Sequence, residues 1–285
     1  SCVTGGILLG AIVALAMNTI YTQAELSDWA WRVPFVLGGI FGLISIYLRR
    51  FLQETPVFKK MRESKALAKF PLVLRTSRFG VYLSFVITWV LTGCIVIFIL
   101  MMPGFTGGLL KFTPVETTYL QMAGIVSIVA SCVLSGILAD HLSPARLCTW
   151  YAIGFAASAL LFCHNLYTAE PNTAFVAFWY VATCFFAGLY NFCPIFMSDV
   201  FPARIRFSGI SFAYNISYAL SGAVTPQLCF ALHTYGKLHP DSIGSLGLGF
   251  YVVVLGLMAI GCAVAMKRVY GNGNTNANTA LSGAL

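Results

Sequence analysis

The chain has 285 residues, of which 59% are hydrophobic and 9% are charged, and its mean hydropathy is +0.83. Soluble domains carry roughly 25% charged residues, so this composition excludes a water-soluble fold and indicates a protein embedded in a bilayer. The formal net charge of +8 does not indicate nucleic-acid binding, because the basic residues lie in segments between apolar runs.

Eight mainly apolar runs predict an all-α polytopic membrane protein with eight transmembrane helices, since one span needs roughly 20 such residues. The runs are long and apolar all round, whereas strands of a membrane barrel are short and alternate in polarity. Pro194 and Pro226 fall inside two runs, where we expect them to kink or loosen the helix. The approximate runs are 3–21, 33–47, 80–102, 119–139, 147–167, 173–197, 208–232 and 244–266.

The uneven spacing of the runs predicts four regions along the chain. Residues 1–48 hold two helices, 49–79 form a basic cytoplasmic linker, 80–268 hold six helices, and 269–285 form a disordered cytoplasmic tail. The linker has charged residues at helical spacing and an apolar stripe. It is therefore either an amphipathic segment on the inner leaflet or a solvated charged loop.

The distribution of lysine and arginine predicts the orientation of the chain in the membrane. If the 49–79 linker is cytoplasmic and the loops alternate, only Arg32, Lys111 and Lys237 of all the basic residues lie outside. Because positive charge is concentrated in cytoplasmic loops, we expect both ends of this segment to lie in the cytoplasm.

The residues that usually bind metals or carry enzyme chemistry are unfavourably placed for either role. The nine cysteines form no Cys-x-x-Cys pair, so we expect packing residues rather than a metal site or a disulfide framework. His164, His233 and His239 fall in outer loops, where we expect exposed side chains. Without an intramembrane Ser–His or Asp pair, a membrane protease is disfavoured, and we predict that the chain is not an enzyme.

Two motifs at the second apolar run carry a family resemblance. "WAWRVPFVLGG" at 29–39 and "YLRRFLQETPVF" at 47–58 are similar to the fifth-to-sixth-span region of the metabolite:proton symporter branch of the major facilitator superfamily. That branch begins this region with Trp-x-Trp-Arg-hydrophobic-Pro-Phe and ends it with Arg-Arg-x-hydrophobic-x-Glu-(Ser/Thr)-Pro-x-Phe. The matching signature residues are Trp29, Trp31, Arg32, Pro34, Arg49, Arg50, Glu54 and Pro56.

The resemblance implies that the eight runs correspond to spans five to twelve of a twelve-span transporter of a bacterial inner membrane. The first four spans would then be missing helices of the same chain, and this sequence would be a fragment or a truncated product. The implied function is alternating-access transport of a small polar metabolite, an organic acid or zwitterion, by proton symport without another cofactor. The alternatives are a degenerate transporter acting as a sensor or receptor, and an inactive truncated product.

Polar side chains within the runs are the candidates for a substrate cavity. Asn215 is expected to bond a neighbouring helix or to contact substrate, because a buried amide without a partner is costly. For Tyr82, Trp89 and Gln121, simple packing is an open alternative. The complete set of cavity candidates is Tyr82, Trp89, Gln121, Tyr190, Asn191, Tyr214, Asn215, Tyr218 and Gln227.

Two inner loops share an aspartate followed by Pro-Ala-Arg, in "GILADHLSPAR" at 136–146 and "MSDVFPARIRFSG" at 197–209. Both resemble inner loops of the superfamily, although the first lacks most of the usual arginines and Asp199 stands where Glu is usual. Our hypothesis is that aspartate–arginine bridges close the inner face. The alternative is that these charges only anchor the topology. The residues concerned are Asp140, Arg146, Asp199, Arg204 and Arg206.

Overall fold

The computed structural model describes residues 2–51, 77–168, 170–239 and 246–273, excluding the side chains of 2–4, 203–204 and 269–273. The described chain is almost wholly helical, without strands, which confirms the predicted all-α class. Most of the 49–79 linker and residues 274–285 lie outside the described residues, so their predicted structure stays a prediction. The last helix continues to Gly273, past the predicted start of the tail.

Ten helices are numbered in chain order within the described residues. They are α1 Cys2–Ile20, α2 Arg32–Arg49, α3 Arg78–Ile95, α4 Met102–Leu110, α5 Pro114–His141, α6 Pro144–Leu166, α7 Thr173–Ala187, α8 Phe192–Val200, α9 Ala203–Leu238 and α10 Gly247–Gly273. A π-helical turn, Val96–Met101, joins α3 to α4, and a 3₁₀ turn, Gly188–Asn191, joins α7 to α8. Each of these pairs therefore forms one span with an irregular centre.

Six described helical segments are long and apolar enough to cross a membrane: Arg32–Arg49, Arg78–Leu110, Pro114–His141, Pro144–Leu166, Thr173–Val200 and Gly247–Arg268. They coincide with six of the eight predicted spans. The other two predicted spans are helical: α1 has 19 residues, of which Gly5–Ile20 have described side chains, and α9 does not meet the same apolar criterion. The number of eight spans is thus not established by length and composition.

Helix α9 contains a row of hydroxyl side chains, Ser217, Ser221 and Thr225, which lower its apolar content. These hydroxyl groups bond α9 to neighbouring helices. Ser217 donates to the Phe85 carbonyl at 2.6 Å, and the hydroxyl groups of Thr225 and Tyr251 lie 3.0 Å apart. These groups connect α9 with α3 and α10 inside the bundle. Hydrogen bonds between helices satisfy polar groups that hydrocarbon cannot satisfy, so the polarity of α9 is compatible with a membrane position.

Capping boxes set the start of the short helix Gln23–Glu25 and of α5. In each, a threonine backbone N–H donates to a glutamate three residues later at 2.8 Å, joining Thr22 to Glu25 and Thr113 to Glu116. The second box starts α5 at Pro114, earlier than the predicted span at 119. Hydrogen bonds from the Thr22 backbone and hydroxyl lower the pKa of Glu25, which is fully exposed.

The core lies among α3 and α5 to α10, where rings from several helices meet. Phe98 contacts Phe155 edge-on at 5.5 Å between ring centroids, and the Tyr180 hydroxyl donates to the Phe98 carbonyl at 2.7 Å. Helix α1 packs on α5, whereas α2 buries none of its residues. The described bundle therefore leaves a complete membrane-length helix without a packed partner.

Close packing of α5 on α7 depends on Gly124, and we expect Gly124→Ala to destabilise the protein. A methyl group there would lie 2.7 Å from the Tyr180 ring and 2.9 Å from the Cys184 sulfur. Overpacking of this kind costs about 1–3 kcal/mol, which would lower the midpoint of thermal unfolding. Gly136→Ala in the same helix is the control, because nothing lies within 4 Å of its added methyl. Equal midpoints for the two variants would contradict this packing.

Candidate functional site

The α7–α8 span is interrupted at Gly188–Asn191, and the sequence explains why. Pro194 has no N–H to donate to the carbonyl four residues earlier, that of Tyr190. Within the tighter turn, the Phe192 N–H donates to the carbonyls of Leu189 and Tyr190. Gly188 packs against the Ser131 side chain so closely that any Cβ would overlap its hydroxyl. The predicted effect of Pro194 is thus seen as a broken helix, whereas Pro226 lies inside the continuous α9.

A polar cavity of about 320 Å³ lies between this break and α5. The Cys132 thiol donates to the Asn191 carbonyl oxygen at 2.9 Å, and the Asn191 amide donates to the Ser135 hydroxyl at 3.3 Å. The Tyr190 hydroxyl lies 3.8 Å from the Cys132 sulfur. The lining residues are Cys132, Val133, Ser135, Gly136, Asn191, Phe192, Pro194 and Ile195.

The cavity lies within the membrane-spanning part of both helical segments. At 1.5 Å per residue, Ser135 is about 9 Å from the end of α5 at His141. By the same measure Asn191 is about 14 Å from the end of α8 at Val200. Both distances place the cavity within the half of the bundle that is nearer to the 142–143 and 201–202 links.

The chemistry of the cavity is neutral, because none of the described lining residues is charged. Asn191 offers both an amide donor and a carbonyl acceptor, and Ser135 offers a hydroxyl that can do either. Such groups recognise a hydroxyl, an amide or an uncharged part of a larger polar molecule. A small set of polar groups in a mostly apolar wall is typical of a small-molecule site.

The structure brings two of the predicted cavity residues together and places the others elsewhere. Asn191 lines the cavity, and the Tyr190 hydroxyl lies 3.8 Å from the sulfur of Cys132, another lining residue. Gln121 donates to the Ile99 carbonyl at 2.8 Å, and Pro103, four residues after Ile99, has no N–H to donate. Trp89 donates to the Tyr251 hydroxyl at 3.4 Å. Gln121 and Trp89 therefore connect helices in this conformation.

The remaining cavity candidates lie on other faces of the bundle. Tyr82 is 69% exposed and lines a separate groove between α3 and α10. On α9, Tyr214 and Tyr218 stack with ring centroids 5.5 Å apart, and the Asn215 amide donates to the Ser211 carbonyl at 2.6 Å. Gln227 is also exposed on α9. The Asn215 bond is within its own helix rather than to a neighbouring one, and contact of Asn215 with substrate stays a prediction.

Sequence reasoning missed Cys132 and Ser135, although a signal for this face was present. Ser127, Ser131 and Ser135 recur every four residues, which places three hydroxyl groups on one side of α5. Ser127 donates to the Val181 carbonyl of α7 at 3.0 Å, Ser131 packs on Gly188, and Ser135 reaches the cavity. The spacing therefore marks the face of α5 that packs on α7.

The two loops that the sequence predicts to lie at the inner face are very short, each leaving two residues between helices. In the second, the Phe201 ring is buried and would overlap any side chain at Gly209, while Arg206 donates to the Phe201 carbonyl at 3.1 Å. These contacts explain the "FPARIRFSG" part of the second loop, 201–209, as a fixed turn. Asp140, Asp199 and Arg146 are exposed, and the Arg204 side chain lies outside the described residues.

The signature residues at the start of α2 form local contacts. The Arg32 guanidinium lies 4.7 Å from the centre of the Trp31 ring and donates to the Asp28 carbonyl at 3.2 Å. Trp29 contacts Tyr21 edge-on at 5.3 Å. Pro34 lies in the first turn of α2, while Arg49 and Arg50 lie at its end. Glu54 and Pro56 lie outside the described residues.

His233 differs from the exposed residue that the sequence predicts. Its ring stacks on Phe105 with centroids 4.0 Å apart, and its Nδ1 atom lies 2.7 Å from the Tyr167 hydroxyl. These contacts join α4, α9 and the end of α6. His164 and His239 are exposed as predicted.

A family model and several relatives match this chain over most of its length. The model described as "Major Facilitator Superfamily" matches residues 1–226. The inner membrane metabolite transport protein YhjE of Escherichia coli (strain K12) is 26% identical, over 86% of this chain and 56% of that protein. The citrate-proton symporter of Klebsiella pneumoniae is 24% identical, over 80% of this chain and 52% of that protein.

The proline/betaine transporter of Escherichia coli (strain K12) is 23% identical, over 98% of this chain and 55% of that protein. The chain thus spans little more than half the length of these relatives. No solved structure gives a significant match.

Proposed function

Because the chain belongs to the major facilitator superfamily, we propose that it contributes eight spans, equivalent to spans five to twelve, to a twelve-span metabolite transporter. The share of about half of each relative's length supports this arrangement. Helix α2 buries none of its residues in the described bundle. This exposure is expected if further helices of the same protein pack against α2. Lipid would surround the assembled helices.

The proposed mechanism is alternating access, in which the cavity at Cys132, Ser135 and Asn191 is part of the substrate route. The observation that supports it best is a neutral polar cavity beside a broken helix within the membrane. Binding sites of transporters are often built at such breaks, since irregular backbone is tolerated there only when it lines a cavity. In this mechanism the chain moves a metabolite without enzymatic chemistry.

The proposed substrate class is a small organic acid or zwitterion, moved together with a proton. The relatives include a citrate-proton symporter and a proline/betaine transporter, which supports this class. Among the described residues, carboxylates lie at helix ends or between helices, and the cavity lining is uncharged. We therefore assign the proton-carrying group and the charge that neutralises the substrate to helices of the other half.

We place the transporter in a bacterial inner membrane with the 142–143 and 201–202 links in the cytoplasm. The excess of lysine and arginine on that side supports this orientation. The proposed inner gate consists of Asp140 and Asp199 with arginines of the same loops. No bond joins Arg146 to Asp140 among the described residues in this conformation, so this bridge would form as the inner face closes.

Asn191→Leu is expected to reduce uptake by the full-length transporter about 5- to 150-fold. The leucine keeps the volume but removes the amide, so a buried polar partner loses a hydrogen bond worth about 1–3 kcal/mol. The measurement is uptake of labelled citrate, proline and betaine into energised vesicles, with and without a protonophore. If the transporter is a symporter, the wild type should accumulate the labelled substrate, and the protonophore should abolish this accumulation.

Asn165→Leu is the matched control for that experiment. Asn165 donates to the Leu161 carbonyl within its own helix, so its loss should leave uptake nearly unchanged. Equal uptake by the Asn191 and Asn165 variants, at equal amounts of folded protein, would contradict the proposed site. Wild-type equilibration without accumulation would indicate a facilitator, and a substrate response without uptake would indicate a sensor.

Arg204→Ala is expected to hold the inner face open for longer and to change the transport rate. An exposed ion pair contributes up to about 1 kcal/mol, so accessibility from the inside should rise by up to about fivefold. The probe is the rate at which an impermeant thiol reagent labels Ser135→Cys in a Cys132→Ser background. Arg268→Ala is the control at the same face, and unchanged labelling and rate in Arg204→Ala would exclude the gate.

A further inference from the structure

Two exposed apolar stripes run side by side on α6 and α10, away from the polar cavity. The helices pack closely, since a Cβ on Gly256 would lie 3.2 Å from the Ala152 carbonyl oxygen. Exposed residues recur every three or four positions along each helix. The α6 stripe is Trp150, Ile153, Ala157 and Leu161, and the α10 stripe is Phe250, Val254, Leu257, Gly261 and Val264.

Both stripes end in a cation at the same end of the bundle. There a groove of about 410 Å³ is lined by Arg146 and Lys267 together with Thr149 and Trp150, and its remaining walls are apolar. In the described part of the chain, no carboxylate bonds or pairs with either cation. Two positive charges that face one groove repel each other, and an anion between them would remove this repulsion. The groove therefore has the charge to bind an anion.

The position of the aromatic residue indicates that this anion belongs to a lipid. Trp150 is 70% exposed and lies one helical turn, about 6 Å, deeper than Arg146. Tryptophan prefers this interfacial depth of a bilayer. The exposed apolar stripe from Trp150 to Leu161 is about 16 Å long, close to half of the roughly 30 Å hydrocarbon core. A soluble anion would not use this apolar extension, whereas an acyl chain would.

We propose that the groove between α6 and α10 binds one anionic phospholipid of the inner leaflet. Its phosphate contacts Arg146 and Lys267, and its acyl chains lie along the two apolar stripes. The assignment to the inner leaflet rests on the orientation proposed above. The site does not depend on the substrate or on proton coupling, although a phosphate on Arg146 would compete with the proposed bridge from Arg146 to Asp140.

Native mass spectrometry of the purified full-length protein tests this site with equal amounts of phosphatidylglycerol and phosphatidylcholine. We expect phosphatidylglycerol to be retained preferentially. Arg146→Gln and Lys267→Gln should each weaken that retention about fivefold, the usual effect of one cation near an anionic headgroup. Arg268→Gln is the matched control, because this exposed neighbour of Lys267 does not line the groove. Thermal unfolding verifies that each variant is folded.

Three results would overturn the proposal. Equal retention of the two lipids would show that charge is not recognised. An effect of Arg268→Gln as large as that of Lys267→Gln would indicate general surface charge rather than a site. Displacement of the lipid by inorganic phosphate in moderate excess would assign the groove to a soluble anion.

Discussion

Within hydrocarbon, every backbone carbonyl needs a hydrogen-bond donor from the protein itself, and this requirement organises the bundle. Proline breaks the regular pattern in two spans. Pro103 has no N–H for the carbonyl of Ile99, four residues earlier, and this carbonyl accepts from Gln121 of α5. Before Pro194, the chain tightens into a 3₁₀ turn that brings Asn191 to α5. The irregular segments are therefore held by side chains of the neighbouring helix, and the polar cavity lies at one of them.

The same requirement explains which polar residues of the spans are available for a substrate. Hydroxyl groups on α9 bond carbonyl oxygens of α3, which stabilises the contact between these helices. Gln121 and Trp89 are also engaged in bonds between helices. Asn191 differs because its partners are themselves small polar groups that line a cavity. On this basis Asn191 is assigned to a binding site, whereas Gln121, Trp89 and the α9 hydroxyl groups are assigned to contacts that hold the helices together.

The face of the bundle formed by α6 and α10 is exposed and mainly apolar. Helices α6 and α10 expose apolar side chains along their length and cations only at one end. Helix α2 exposes residues all around and buries none. The described bundle thus has a face suited to lipid and a helix suited to further protein, in agreement with the proposed eight spans of a twelve-span transporter.

Length and apolar content predicted the helices well, because a bilayer requires long apolar runs whatever their packing. The rotation of each helix was not predictable from one sequence, and it decides that Tyr82 lies in a groove with α10 while Asn191 meets α5. Small residues were also underestimated. Ser135 and Cys132 look like ordinary packing residues until a broken helix places an amide opposite them.

The central claim is that the cavity at Ser135 and Asn191 is part of a transport route with alternating access. The most direct measurement is labelling of Ser135→Cys, in a Cys132→Ser background of the full-length protein, by an impermeant thiol reagent applied from one side at a time. The proposal predicts labelling from each side, with a ratio that changes when substrate is added. Labelling from neither side, or from one side only with or without substrate, would contradict it.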